Sequence, residues 1–129
     1  MQESDGIIIN RKTIGIELPS EKVFIAEKWM IWRANLASKT VIVASSILDS
    51  MVTHPRAKEF EVQEIGNRVI DGVDAIQLGS ETSVGNYADK ATLQLAKTCA
   101  ESEITLDYAK NFEDIKISSP VSWGNAESA

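Results

Sequence analysis

Three short polar segments carry the side chains best suited to chemistry. Asn10-Arg11-Lys12-Thr13-Ile14-Gly15 sets two adjacent cations beside a hydroxyl and a glycine. Where a strand turns into a helix, free backbone N–H groups hold an anion, and Arg11 and Lys12 would assist. The same two side chains serve equally well as ordinary solvated charges in a loop. Ser45-Ser46 offers two hydroxyls, which either donate to a ligand or satisfy loop carbonyls. Gly79-Ser80-Glu81-Thr82, running on to Gly85, holds a carboxylate that can act as acid, base or ion-pair partner. The sequence has no metal-ligand cluster, no nucleophile triad and no glycine-lysine phosphate loop. His54, just before Pro55, reads as a surface or turn histidine. Cys99 reads as a small core residue. Trp29, Met30 and Trp32 crowd one predicted helix. Core packing is the expected role there, with a subunit contact as the alternative.

The elements that must position these residues alternate. Three apolar runs read as strands: Gly6-Ile7-Ile8-Ile9, Thr40-Val41-Ile42-Val43-Ala44 and Asp74-Ala75-Ile76-Gln77-Leu78. The first two are rich in β-branched residues without polar alternation, the pattern of strands buried on both faces. A helical pattern follows each run. The first begins at Pro19-Ser20, with Ser20 as expected N-cap, and aligns Val23, Ala26, Met30, Ile31 and Ala34 on one face. The second covers Glu59–Ile70, with Val62, Ile65, Val69 and Ile70 together. The third covers Tyr87–Tyr108, with Ala91, Leu95, Cys99 and Ile104 inward. Strand starts near 6, 40 and 74 recur about every 34 residues. A (β/α)8 barrel of about 250 residues has units of roughly 31. That spacing fits three consecutive barrel units, and a small doubly wound parallel sheet fits it as well. Either way ligands bind at the C-terminal strand ends, where the three polar segments fall.

Composition narrows the class. The chain has 129 residues, 43% hydrophobic and 25% charged, enough for one domain with a core. The net charge of −6, with no Lys/Arg cluster, argues against nucleic acid. One cysteine excludes an internal disulfide framework and fits a reducing compartment. No apolar run reaches the roughly 18–20 residues of a membrane helix, and Met1-Gln2-Glu3-Ser4-Asp5 lacks signal-peptide features. A soluble cytoplasmic protein is expected. The first strand follows so closely on Met1 that the chain is expected to begin mid-domain. Residues 109–129, with Ser118-Ser119-Pro120 and Gly124, are expected to be a polar, flexible tail.

The segments together resemble the pyruvate kinase family. Ser4-Asp5-Gly6-Ile7-Ile8-Ile9-Asn10-Arg11, with Gly15-Ile16-Glu17-Leu18-Pro19 and Glu21-Lys22-Val23-Phe24, is similar to the region around that family's Ala-Arg-Gly-Asp-Leu-Gly motif. Leu48-Asp49-Ser50-Met51 with Pro55-Arg56 resembles its Met-Leu-Glu-Ser-Met segment. Asn67, Val69-Ile70-Asp71-Gly72-Val73-Asp74, Ser80-Glu81-Thr82 and Gly85-Asn86-Tyr87 resemble its Asn-Ala-Val-Leu-Asp-Gly and Ser-Gly-Glu-Thr segments. Order and spacing agree from about residue 1 to 108, so 1–108 is expected to be a partial barrel domain.

The resemblance implies a partial TIM barrel, matching the sixth to eighth strand–helix units, with parallel strands. It implies phosphoryl transfer from phosphoenolpyruvate to ADP with Mg²⁺ and K⁺, chemistry that rests on positioning and charge neutralisation. It implies that the substrate carboxylate meets the backbone N–H groups of Lys12 and Thr13, at the family's Gly-Asp pair. Ser45 takes the place of a threonine hydroxyl at the catalytic centre, and Arg11 belongs to the same substrate-binding segment. The family's aspartate metal ligand falls at Thr13, where a neutral hydroxyl is a poor Mg²⁺ ligand. The family's other metal ligand, its catalytic lysine and its nucleotide and potassium residues lie upstream of the matched region. Lys12 replaces a glycine, Ser46 a glutamine, Gly79-Ser80 inverts Ser-Gly, and Lys58-Glu59-Phe60 replaces Thr-Arg-Ala. The isolated chain is therefore expected to be inactive. The alternatives are a homo-oligomer, a binding module docked on a full-length homologue, and a truncated product. Three strands of a barrel leave two open sheet edges, so the chain alone is expected to aggregate or oligomerise.

Overall fold

The computed structural model describes residues 3–45 and 47–118. Strand β1 (Gly6–Asn10) runs directly into the short helix α1 (Arg11–Glu17), and α2 (Ser20–Leu36) follows. Strand β2 (Thr40–Ala44) leads through a single 3₁₀ turn at Asp49–Val52 to α3 (Glu59–Ile70). Strand β3 (Ala75–Gln77), α4 (Ser80–Ser83), α5 (Ala88–Ile104) and α6 (Tyr108–Ser118) complete the order. The strands form one parallel sheet, β1-β2-β3. Both strand and helix periodicities are local, and they place the elements where the sequence predicts, with α3 at the predicted bounds.

Register decides where the polar segments meet. Asn10 pairs with Ala44, and Ala44 with Gln77. The three C-terminal strand ends therefore lie side by side, and the loops beginning at 11, 45 and 78 leave from one sheet edge.

The sheet is covered on one face. Ile9, Val41 and Val43 pack in one buried cluster with Ile31 and Ala34 of α2, Ile65 of α3 and Ala91 of α5. Ile47, Leu48 and Met51 of the loop after β2 complete that cluster. Burying one such side chain contributes on the order of 1.5–3 kcal/mol, against about 0–1 for an exposed ion pair. The cluster, more than the surface pairs, holds the units together. The opposite face is open: Ile8 is 63% exposed, and Ala75 and Gln77 are exposed. The expectation of strands buried on both faces fails for β1, because among the described residues the helices cover one side of the sheet. β1 and β3 are also edges among the described residues.

Several predicted faces shift. Ile70 (54%) and Ile104 (78%) point outward rather than into the core. Polar residues take the inward positions instead, with Glu61 and Arg68 of α3 and Glu27 of α2 all buried. Trp29 (56%) and Trp32 (51%) are exposed, so they do not pack in the core, and Arg33 lies over the Trp29 ring at 5.2 Å. Ser20 does not cap α2. Pro19 holds the cap position, and the Ser20 hydroxyl donates to Glu21 at 3.4 Å. The predicted third helix breaks after Ile104, because Asp107 opens a new one: its Oδ1 accepts from the Lys110 N–H at 3.1 Å. Residues 109–118 thus belong to helix α6 within the segment expected to be a tail, and 119–129 lie outside the described residues.

Helix α2 ends in a left-handed turn. Ser38 has φ 52°, its N–H donates to Asn35 O at 3.0 Å, and the Lys39 N–H donates to Ala34 O at 2.9 Å. That double bond is the Schellman pattern, whose left-handed position favours glycine. Ser38→Gly is expected to stabilise the chain by about 0.5–1 kcal/mol, read as a higher urea midpoint with an unchanged slope. Gly72 fills the corresponding role after α3 at φ 88°, where an added Cβ would lie 2.7 Å from the Asn35 amide nitrogen.

Candidate functional site at the strand ends

The first loop turns at Asn10. β1 ends there in extended backbone, and the Asn10 side-chain oxygen accepts from the N–H groups of Lys12 at 3.1 Å and Thr13 at 3.4 Å. Asparagine is among the best N-caps, for this reason. Thr13 is exposed. The Lys12 ammonium reaches across to Asp49 of the next loop at 3.9 Å, a surface contact of small energy.

Arg11 turns away from this edge, into the seam between α2 and α3. Its Nη1 donates to Glu64 Oε2 at 2.7 Å and its Nε lies 3.4 Å from Glu27. Burial works against its charge, but the hydrogen bond and charge of Glu64, with Glu27 behind it, outweigh that and raise its pKa. Arg68 completes the group, donating from Nε to Glu27 at 3.0 Å. Two arginines and two glutamates thus form one network beneath the strand ends.

The second loop begins at Ser45, half-buried at φ 72°. A left-handed serine carries strain that a β-branched residue would increase. Ser46 lies outside the described residues.

The third loop is closed by Glu81, only 1% exposed. Its Oε1 accepts from the Leu48 N–H at 3.0 Å and its Oε2 from the Gly79 N–H at 2.8 Å. Burial pushes its pKa up, but these backbone donors outweigh burial and hold it below the ordinary carboxylate range. The sequence offers Glu81 as acid, base or ion-pair partner. In the structure it clamps the second loop to the third through backbone amides. Glu61 plays the same part nearby, accepting from the N–H groups of Ser50 at 2.8 Å and Lys58 at 2.9 Å, and from the Ser50 hydroxyl.

The structure therefore brings Lys12, Thr13 and Ser45 to one sheet edge and sends Arg11 beneath it. Sequence reasoning missed Glu27, Arg68 and Glu61. Their charges fall on inward helix positions, a signal visible only once the face is known. It also passed over Asn10 as a cap, which its type and place did signal. His54 is exposed and meets Thr53 at 2.8 Å, as expected of a surface histidine. Cys99 is half-buried, and burial, then Glu103, push its thiol pKa up, away from the reactive thiolate form.

Position 13 does not suit a divalent ion. A hard cation needs anionic or carbonyl oxygens converging at about 2.1 Å. Thr13 presents an exposed, uncharged hydroxyl, and among the described residues no group of three or more His, Cys, Asp or Glu side chains is placed to hold a metal.

Residues 1–92 match the family model described as the barrel domain of pyruvate kinase. This chain belongs to the pyruvate kinase family. It is 39% identical over 125 residues to the cytosolic pyruvate kinase isozyme of Nicotiana tabacum, covering 97% of this chain and 25% of that protein. It is 36% identical to the cytosolic isozyme of Glycine max over 128 residues, 99% of this chain. That similarity runs past residue 108 into the segment expected to be a separate tail. The crystal structure of a pyruvate kinase from Cryptosporidium parvum superposes with a TM-score of 0.91 at 36% identity, covering 94% of this chain and 24% of that one. The chain spans about a quarter of the length of these relatives. The three parallel strand–helix units are thus a piece of the pyruvate kinase barrel, and the doubly wound alternative falls away. No helix among the described residues is long and apolar enough to cross a membrane.

Proposed function

We propose that this chain is a pyruvate kinase barrel segment that carries the family's substrate-carboxylate side but does not by itself transfer phosphoryl groups. The family reaction takes phosphoenolpyruvate and ADP to pyruvate and ATP with Mg²⁺ and K⁺. Lys12 and Thr13 would meet the substrate carboxylate through backbone N–H groups, with the Ser45 hydroxyl beside them. Register supports this, since it sets the ends of β1 and β2 side by side. The observation that carries the inactive reading is the chemistry at position 13. A divalent ion would gain most from a carboxylate at this position, and a threonine hydroxyl withholds a full negative charge. Arg11 supports the site from below, held by Glu27 and Glu64. The cytosolic names of the tobacco and soybean relatives favour the cytoplasm.

The purified chain, given phosphoenolpyruvate, ADP, Mg²⁺ and K⁺, is expected to form ATP no faster than a heat-denatured control. Turnover above that control overturns the metal argument.

A second reading has an observation of its own. The exposed sheet face at Ile8 and the two strand edges left unpaired among the described residues favour association, either with further copies or as a docking module on a full-length homologue. Co-purification of tagged chain with an intact relative supports that reading, and recovery of the chain as a dilute monomer with a sharp cooperative melt overturns it.

A further inference from the structure

We propose that the bond between Asp5 and Gly6 is a site of spontaneous backbone isomerisation, and that the fold holds the other Asp-Gly bond of the chain, Asp71–Gly72, inert. Asp-Gly is the dipeptide most prone to this chemistry, because glycine has no Cβ to hinder its own nitrogen. The glycine nitrogen attacks the side-chain carboxyl carbon of the aspartate and a C–N bond forms. Water leaves, carrying one carboxyl oxygen, the carboxyl proton and the amide proton. Water then opens the five-membered imide at either carbonyl. One opening returns aspartate, and the other leaves isoaspartate, whose main chain runs through the former side chain and is one carbon longer. The fold fixes glycine at both places. A Cβ on Gly6 would lie 2.9 Å from the Thr40 backbone oxygen. Gly72 has φ 88°, a left-handed value that glycine adopts without strain. The hazard is therefore built into two positions, and their surroundings decide whether it is realised.

The two surroundings differ. Asp71 is the C-cap of α3, at φ −69° and ψ −10°, and ring closure needs ψ to rotate well away from that helical value. Lys28 Nζ donates to both Asp71 carboxylate oxygens, at 2.6 Å and 2.5 Å. The Gly72 N–H donates to Val69 O at 3.1 Å, and the Asn35 amide donates to Gly72 O at 3.0 Å. Attack at 71 must break the ion pair, free the nitrogen and unwind the cap together. Asp5 has none of these restraints. It is exposed in the bend ahead of β1, and among the described residues no hydrogen bond or ion pair holds its carboxylate. Isoaspartate there inserts a carbon just before the Gly6–Thr40 pair, where β1 enters the sheet.

The full 129-residue chain is incubated at mildly acidic pH and body temperature, folded or in urea, and then digested. Electron-transfer fragmentation of the peptides measures isoaspartate at each position. In the folded chain it is expected to accumulate at 5 and to stay at its starting level at 71. In urea the two positions are expected to react at similar rates, since both are then bare Asp-Gly bonds. Equal accumulation in the folded chain, or none at 5 where urea produces it, overturns the proposal. The restraint at 71 is tested by Lys28→Met combined with Asn35→Ala. Losing one exposed ion pair and one hydrogen bond converts to about 5- to 10-fold faster isomerisation at 71, with position 5 unchanged as the internal control. Should the double variant unfold, Lys28→Met alone is expected to give about 2- to 5-fold. An unchanged rate at 71 in a folded variant shows that these contacts do not guard the bond, and overturns that half of the proposal.

Discussion

Glu27→Ala is expected to lower the unfolding free energy by about 3–5 kcal/mol. Glu27 and Arg68 are both nearly buried, with side chains 9% and 5% exposed. Their attraction offsets the cost of taking two charges out of water only while both are present. Removing Glu27 leaves the buried Arg68 guanidinium with only the longer 3.5 Å contact to Glu64, and its Nη1 already lacks a hydrogen-bond partner among the described residues. It also takes away one of the two carboxylates that hold Arg11. Pulse proteolysis in urea, run in dilute solution, reads the change as a shift of midpoint. The double replacement Glu27→Met with Arg68→Leu is expected to be near neutral, since a buried pair replaced by apolar groups of similar volume often is. The difference between the single and double variants is the coupling. A single-variant cost below about 1 kcal/mol would mean the pair is solvated and the seam between α2 and α3 is open.

Glu81→Gln is expected to cost about 3 kcal/mol, because hydrogen bonds to a buried charged acceptor are worth about 1.5–3 each and leave unsatisfied donors when lost. The carboxamide can accept from one of Leu48 and Gly79, but its NH₂ then faces the other N–H, donor against donor. The second and third strand-end loops should loosen together, seen as faster hydrogen exchange at Leu48 and Gly79. A pH signature accompanies this. The folded-state pKa of Glu81 lies below its ordinary value, so the unfolded chain binds the proton more readily. The stabilisation is fully present above the ordinary glutamate range, about pH 4–5, and is lost as pH falls through that range and on through the folded value. The wild type should therefore lose stability on acidification more steeply than Glu81→Gln. Parallel acid profiles would show that Glu81 is not the charged clamp described.

Much of the architecture is local and was legible. β-Branched runs at 6–9 and 40–44, and the 3.6-residue pattern of 59–70, rest on periodicities that each segment carries within itself. The family resemblance rests on motifs of the same local kind. The Asn10 cap is local too, bridging only two and three residues, and the residue type announced it. What no segment carries is its partner. The Glu27–Arg68 bond spans 41 residues, and that from Leu48 to Glu81 spans 33. Sequence periodicity therefore set Ile70 and Ile104 inward, whereas the structure exposes them and buries Glu27, Glu61, Arg68 and Glu81. Sequence alone determined the alternation of strands and helices and the family. Tertiary structure decided which face is covered, where Arg11 points, and whether Glu81 is a reagent or a clamp. The reason is electrostatic: the cost of burying a charge is fixed by the residue, but its compensation comes from donors and ions that only the folded chain brings within about 3 Å.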